Sequence, residues 1–155
     1  GLTFMTIEDL RHGRAIYHDF TNRDMIDKGF DVPERSPEEA GRILAGAVRN
    51  HDLSIYEYFL TDRVGHTGDM ERAGVLVREL DRFLVSAVEH LDLSDTNLVL
   101  TSDHGNVEDM STKSHTFHPV PTLVWGPDSS KLIDRLGRLE DFAAALLDRI
   151  AEPAR

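Results

Sequence analysis

Two segments of the chain combine carboxylate and imidazole side chains at close spacing. The first is Thr61-Asp62-Arg63-Val64-Gly65-His66, and the second is Thr101-Ser102-Asp103-His104-Gly105-Asn106, with His115 soon after; each segment follows a hydrophobic run. Carboxylate oxygens and imidazole nitrogens are ligands that zinc and manganese take in proteins. We therefore predict a divalent-metal site whose ligands are Asp62, His66, Asp103, His104 and His115.

Three other polar side chains accompany the second segment. We predict that Asn106, Glu108 and His118 lie behind the ligands, where they orient imidazole rings or contact substrate. For Glu108, exposure in a solvated loop is an equal alternative. His118 is also an alternative to His115 as a ligand, although Pro119 restricts its backbone towards an extended conformation.

Hydrophobic periodicity predicts helices that alternate with short strands. In the longest segment apolar residues recur every three or four positions, as in an amphipathic helix. The run 97–102 is apolar on both faces, which is typical of a buried parallel strand. The predicted helices span 6–17, 36–50, 69–91 and 139–151, and the predicted strands span 54–60, 97–102 and 122–125.

This order of elements indicates an α/β fold with a mainly parallel sheet flanked by helices. Ligands of such sheets bind beyond the carboxyl ends of the strands. Asp62 and Asp103 each follow a predicted strand, so both are expected at that edge. The polar segment 19–35 is predicted to be a connection. The run from Tyr17 to Asn22 precedes the core and could line a substrate pocket.

The composition is that of a single domain covering residues 1–155. The formal net charge of -11 argues against nucleic acid or an anionic membrane as the main partner. The absence of cysteine excludes disulfides and thiolate metal sites, and it fits a cytoplasmic location. No apolar stretch reaches the roughly 18 residues of a membrane span.

Three motifs together resemble the alkaline phosphatase superfamily. They are Asp62-x-x-x-His66, the run Thr-Ser-Asp-His-Gly-Asn at 101–106, and His-Thr-x-x-Pro-Val-Pro from His115. The closer match is the metalloenzyme branch, which holds cofactor-independent phosphoglycerate mutase and phosphopentomutase. The resemblance covers residues 54–126, and it implies an alkaline-phosphatase-like core that is only partly present here.

The resemblance implies a two-metal site for phosphoryl transfer to or from a phosphorylated small molecule. Asp62, His66 and His115 would bind one ion, and Asp103 and His104 would bind the other. The ions implied are manganese or zinc, and magnesium is also compatible with the family. Two such ions clamp the attacking and leaving oxygens of an in-line displacement.

The chain departs from the family pattern in its first third. In the family, the second metal also takes an Asp from an early strand and the Ser or Thr that becomes phosphorylated, and nothing before residue 54 matches them. Ser36 opens a helix, but Pro37-Glu38-Glu39 makes it a cap on an acidic turn. We therefore predict no catalytic nucleophile in this chain, which matches the C-terminal half of a longer metalloenzyme.

Either the missing N-terminal half or another subunit would supply the nucleophile. Apolar surface exposed where that part docks predicts association, and we expect a homo-oligomer. Two other functions remain open. One is a standalone metal-dependent phosphohydrolase that uses metal-bound water, for which three protein ligands suffice. The other is a non-catalytic metal-binding domain that associates with another subunit.

Overall fold

The computed structural model describes residues 4–151. The helices in this range are α1 (Ile7–Arg11), α2 (Arg23–Asp27), α3 (Pro37–Ala47), α4 (Leu60–Gly65), α5 (Met70–His90), α6 (Ser129–Ile133) and α7 (Leu139–Ala151), and the strands are β1 (Leu98–Leu100) and β2 (Leu123–Trp125). A short 3₁₀ turn, Val48–Asn50, extends α3. None of the helices in the described part is long and apolar enough to cross a bilayer.

Helices α3 and α5 begin where their capping residues predict. The Ser36 hydroxyl accepts a hydrogen bond from the Glu39 amide at 3.1 Å, and Pro37 occupies the first helical position. The Asp69 carboxylate caps α5 by accepting from the Arg72 amide at 2.9 Å. These side chains satisfy amide groups that the first helical turn leaves unpaired. The predicted helices at 36–50 and 69–91 are thus confirmed, within the usual uncertainty of their ends.

The most extensive helix packing in the described chain joins α3 to α5. Gly41 permits it, because a Cβ atom at this position would lie 2.6 Å from the carbonyl oxygen of Phe83. Phe20, Ala40 and Phe83 form a buried cluster, and the Phe20 ring stacks on that of Phe83 with centroids 4.4 Å apart. Helix α4 packs on α5 through Val64, which contacts Ala73 and Leu76.

The predicted strand at 54–60 is wrong. Residues 53–58 form neither helix nor strand, and α4 begins at Leu60. Tyr56 and Tyr58 turn towards the Phe20 cluster, and the Tyr56 hydroxyl donates to the carbonyls of residues 17 and 18 at 2.9 and 2.7 Å. This alternation of inward-facing side chains resembles that of a strand, although the segment has no partner strand. The sequence of a short apolar run does not distinguish a paired strand from an unpaired segment that buries alternate side chains.

The strand pair β1–β2 is antiparallel, with Val99 opposite Val124. The predicted strands at 97–102 and 122–125 are therefore present in shorter form, but no parallel sheet occurs within residues 4–151. Parallel pairing needs a crossover, usually helical, between the strands. The segment 101–122 contains no helix and returns the chain directly beside β1. Leu132 and Ala145, from α6 and α7, cover one face of this pair.

Smaller differences concern the first third of the chain. Helix α1 ends at Arg11 rather than Tyr17, since Gly13 adopts a positive φ of 68° that stops the helix. The predicted connection 19–35 contains α2. Asp19 lies buried before this helix and accepts hydrogen bonds from the amides of Thr21 and Asp24 at 3.0 and 2.8 Å. Helix α7 is confirmed at 139–151.

Candidate metal centre

Helix α4 places Asp62 and His66 on one face. Asp62 lies in its first turn and His66 caps its C-terminus, so that the two residues have the i, i+4 spacing of helical neighbours. Their side chains converge, with 3.3 Å between Asp62 Oδ1 and His66 Nε2. The strand predicted before these residues is absent, and α4 supplies the fixed backbone instead.

The loop 101–119 brings two further imidazoles to α4. Thr116 pairs with Gly105 in an isolated antiparallel bridge, and its amide donates to the Gly105 carbonyl at 2.9 Å. This bridge sets the preceding residues side by side, and the rings of His104 and His115 stack with centroids 3.6 Å apart. His115 Nε2 lies 3.2 Å from Asp62 Oδ1.

The tautomer of His66 follows from its surroundings. Its Nδ1 atom lies 2.7 Å from the carbonyl oxygen of Lys113, which only accepts, so Nδ1 carries a proton and donates. In the neutral ring, Nε2 then presents a lone pair. That lone pair faces a carboxylate oxygen of Asp62 at 3.3 Å, which also only accepts. Two acceptors this close require a cation, either a proton or a metal ion.

The distances fit a metal ion. His115 Nε2 lies 3.2 Å from both His66 Nε2 and Asp62 Oδ1, and the ligand atoms of the three residues lie within 4.8 Å of one another. Metal–nitrogen and metal–oxygen bonds of about 2.0–2.1 Å place tetrahedral ligands roughly 3.3–3.4 Å apart. Asp62, His66 and His115 therefore match one face of a tetrahedron and leave the fourth position open.

Asp103 and His104 lie at the rim of this triad. His104 Nε2 is 3.9 Å from Asp62 Oδ1 and 3.6 Å from Asp103 Oδ2. The Asp103 side chain is 82% exposed, whereas that of His104 is 28% exposed. All five predicted ligands are thus neighbours. Three of them converge on one point, while the His104 ring packs beside His115 and only Asp103 faces the solvent.

Asn106 touches the triad from the protein side. It is buried, and its Nδ2 atom donates to Asp62 Oδ1 at 2.9 Å. Gly65 makes room for it, because a Cβ atom there would lie 1.4 Å from Asn106 Oδ1. The motif spacing alone does not reveal that Gly65 admits Asn106. The signal in the sequence is Gly65 itself, a helix-disfavoured residue directly before a predicted ligand.

Glu108 and His118 lie farther from the triad. The Glu108 carboxylate accepts from the Asn106 amide at 2.6 Å and from the Thr116 hydroxyl, and this second bond is the main cause that lowers the pKa of Glu108. His118 Nδ1 lies 3.3 Å from Glu108 Oε1. Of the two histidines considered as ligands, His115 is thus the one that lies beside Asp62.

A cleft of about 670 Å³ lies elsewhere, between the end of α3 and α7, and contains none of the five residues. Its lining includes His51, Asn97 and Leu146. Cleft size is a general indicator of binding sites. We nevertheless take the triad of Asp62, His66 and His115 as the candidate site, because converging ligand atoms indicate a binding site more specifically than the volume of a cleft does.

Comparison with known proteins gives a consistent result. The family model described as the Metalloenzyme superfamily matches residues 17–153. A 2,3-bisphosphoglycerate-independent phosphoglycerate mutase of Cereibacter sphaeroides is 37% identical over 130 residues, which cover 78% of this chain and 25% of that protein. The protein of the same name from Halobacterium salinarum is 34% identical over 155 aligned positions, which cover 90% of this chain and 30% of that protein.

The chain therefore spans between a quarter and a third of the length of these relatives. No solved structure matches it.

Proposed function

We propose, from the premise that this chain belongs to the Metalloenzyme superfamily, that it is the metal-binding part of a phosphomutase-type enzyme. The relatives described above are phosphoglycerate mutases. The observation that carries the proposal is the convergence of Asp62 and His66 with His115, which lies 49 residues beyond His66 in the sequence. A solvated surface turn would not bring Asp62 Oδ1, His66 Nε2 and His115 Nε2 to within 3.2–3.3 Å of one another.

The proposed first ion is held by Asp62, His66 and His115. Asp103 and His104 are proposed as ligands of a second ion, completed by groups from outside this chain. The mixture of oxygen and nitrogen donors suits manganese or zinc, and magnesium less well. Bound ions would neutralise charge on a phosphoryl group and align the oxygens that exchange it.

The protein side chains have distinct tasks in this proposal. The Lys113 carbonyl fixes the His66 ring so that Nε2 faces the ion. Asn106 orients the Asp62 carboxylate through its 2.9 Å hydrogen bond. The open side of the triad admits the phosphate, since the side chains of Asp62 and His115 are 40% and 50% exposed.

The nucleophile is proposed to come from polypeptide outside these 155 residues or from another subunit. Ser36 does not supply it, because its hydroxyl accepts from the Glu39 amide and is followed by an acidic helical turn. The substrate class is a phosphorylated small molecule, and phosphoglycerates are the first compounds to test because of the relatives' activity. The same proposal includes a cytoplasmic location for the enzyme.

Metal binding is the direct test. We expect Mn²⁺ or Zn²⁺ to bind in calorimetric titration, and metal analysis to find at least one ion in the loaded protein. His115→Ala removes a ligand and should abolish saturable binding, whereas His51→Ala, at an exposed histidine outside the triad, should leave it unchanged. Equal binding by wild type and His115→Ala would rule out the assigned site.

Activity measurements then separate two candidate functions. We expect the chain alone to show no phosphoglycerate mutase turnover, because the nucleophile is absent. The second candidate is a standalone metal-dependent phosphohydrolase, which the completeness of the Asp62, His66 and His115 set within this chain favours. Metal-dependent hydrolysis of p-nitrophenyl phosphate without a phosphoenzyme would support the hydrolase. Mutase turnover by the chain alone would contradict the first candidate.

Association with further polypeptide is part of the proposal and has its own support. Leu53, Ile55 and Phe59 are exposed by 46%, 81% and 46% on the segment that leads into α4. Apolar side chains grouped this way are typical of a surface that another chain or segment covers. Light scattering should therefore detect a dimer or larger species, and a strictly monomeric protein would contradict this part. The same surface suits the non-catalytic alternative.

A further inference from the structure

Glu108 connects the two ends of the loop that carries the histidines. One carboxylate oxygen, Oε2, accepts from the backbone amide of Asn106 at 2.6 Å. The other, Oε1, accepts from the hydroxyl of Thr116. Asn106 lies at the start of the loop and Thr116 near its end, so a single side chain holds both strands of the Gly105–Thr116 bridge together.

The space around this contact is filled. A Cβ atom at Gly105 would lie 2.2 Å from Thr116 Oγ1 and 2.5 Å from Glu108 Oε1. The backbone of Gly105, the hydroxyl and the carboxylate are therefore packed directly on one another. We refer to Gly105, Glu108 and Thr116 as the clasp.

The clasp determines where two proposed ligands lie. His104 immediately precedes Gly105, and His115 immediately precedes Thr116. Their rings stack with a centroid distance of 3.6 Å and an interplanar angle of 16°. No hydrogen bond joins these two rings in the described part of the chain, so their spacing depends on the backbone bridge and on the group that closes it.

Two other roles for Glu108 fit less well. A solvated loop carboxylate does not accept from two donors on opposite sides of a bridge. A direct metal ligand would turn an oxygen towards Asp62, but both oxygens of Glu108 face the clasp. Its remaining neighbour is His118, with Nδ1 3.3 Å from Oε1, and this contact lies on the exposed side of the loop.

We infer that Glu108 is a positioning residue that fixes the separation of His104 and His115. This inference rests on the proposed function, in which these histidines serve different ions, so the clasp sets the spacing between the two ion sites. Removing partners behind metal ligands typically weakens affinity by about 10- to 100-fold.

Nuclear magnetic resonance tests the clasp without any metal. In the metal-free wild-type chain we expect a nuclear Overhauser effect between the ring protons of His104 and His115. Glu108→Ala and Thr116→Val should abolish it, and Thr116→Ser, which keeps the hydroxyl, should preserve it. Asp109→Asn is the matched control, since its carboxylate also accepts from a neighbouring amide and hydroxyl in this loop but does not touch the bridge.

Titration with Mn²⁺ and Zn²⁺ tests the consequence for binding. Glu108→Gln and Thr116→Val should weaken affinity by about 10- to 100-fold, whereas Thr116→Ser and Asp109→Asn should change it little. An unchanged ring contact in Glu108→Ala, or an unchanged affinity in Glu108→Gln, would overturn the inference. If the wild type binds neither ion, the proposed function and the metal part of this inference both fail, and the ring contact still decides the role of the clasp.

Discussion

Gly65→Ala tests how tightly the Asp62 site is built. A methyl group at this position would lie 1.4 Å from Oδ1 and 2.4 Å from Cγ of Asn106. The carboxamide of Asn106 must then leave its position. It is only 7% exposed and donates to Asp62 at 2.9 Å, so its displacement breaks a buried hydrogen bond to a carboxylate.

The expected loss of stability combines opposing contributions. Overfilling a packed site costs about 1–3 kcal/mol, and losing a hydrogen bond to a charged group costs about 1.5–3 kcal/mol. Replacing glycine by alanine in a helix offsets at most about 1 kcal/mol of this loss. The unfolding free energy of the metal-free protein should therefore fall by roughly 1.5–6 kcal/mol, measured by urea denaturation followed by circular dichroism.

Gly46→Ala is the matched control for this substitution. Gly46 is an exposed glycine in α3, and no atom lies within 4 Å of a Cβ built there. Alanine should stabilise this helix by up to about 1 kcal/mol. A second control is the double variant Gly65→Ala with Asn106→Ala, in which the clash is absent. The loss caused by Gly65→Ala should largely disappear in that background.

Two results would contradict this prediction. One is a Gly65→Ala variant that is as stable as the wild type, and the other is an effect of Gly65→Ala that is the same with and without Asn106. Either result would show that the Asn106 carboxamide moves freely. The 2.9 Å contact with Asp62 would then have no part in orienting the proposed ligand.

Three other substitutions have defined outcomes. Asp62→Asn should weaken Zn²⁺ or Mn²⁺ binding by about 100-fold or more, since it removes a ligand charge rather than an outer partner, and calorimetry measures the change. Tyr56→Phe should destabilise the fold by about 1–3 kcal/mol because the carbonyls of Tyr17 and His18 lose the half-buried hydroxyl donor that they share; an unchanged urea midpoint would contradict this. Ser36→Ala should cost about 1 kcal/mol through loss of the α3 cap, and a larger loss would indicate a role beyond capping.

Local signals in the sequence predict the long helices well. Ser36 with Pro37, and Asp69 before the apolar stripe of α5, mark helix starts that the structure contains at those positions. The reason is that caps and helical periodicity act over a few residues. Convergence of the proposed ligands was also predictable, since Asp62, His66 and His115 carry motifs whose chemistry requires proximity.

Contacts between distant segments were not predictable in the same way. The tyrosines of the segment 53–58 alternate as in a strand, yet they pack on the Phe20 cluster without any paired backbone. The alternating pattern indicates which side chains are buried, but it does not indicate whether they belong to a paired strand. Likewise, the antiparallel β1–β2 pairing depends on the path of the loop 101–119, which has no periodicity to interpret.

That loop has two kinds of attachment. Val107 and Met110 pack on the apolar cluster of α4 and α5, and this contact needs no ion. Its two ends bring His104 and His115 towards Asp62, so that their Nε2 atoms lie 3.9 and 3.2 Å from Asp62 Oδ1. A metal site does not exist in an unfolded chain, so the free energy of binding adds to that of folding. The ion should therefore add to the stability of the loop ends that the clasp already holds, whereas the α3–α5 pair, which contains none of the proposed ligands, should fold without metal.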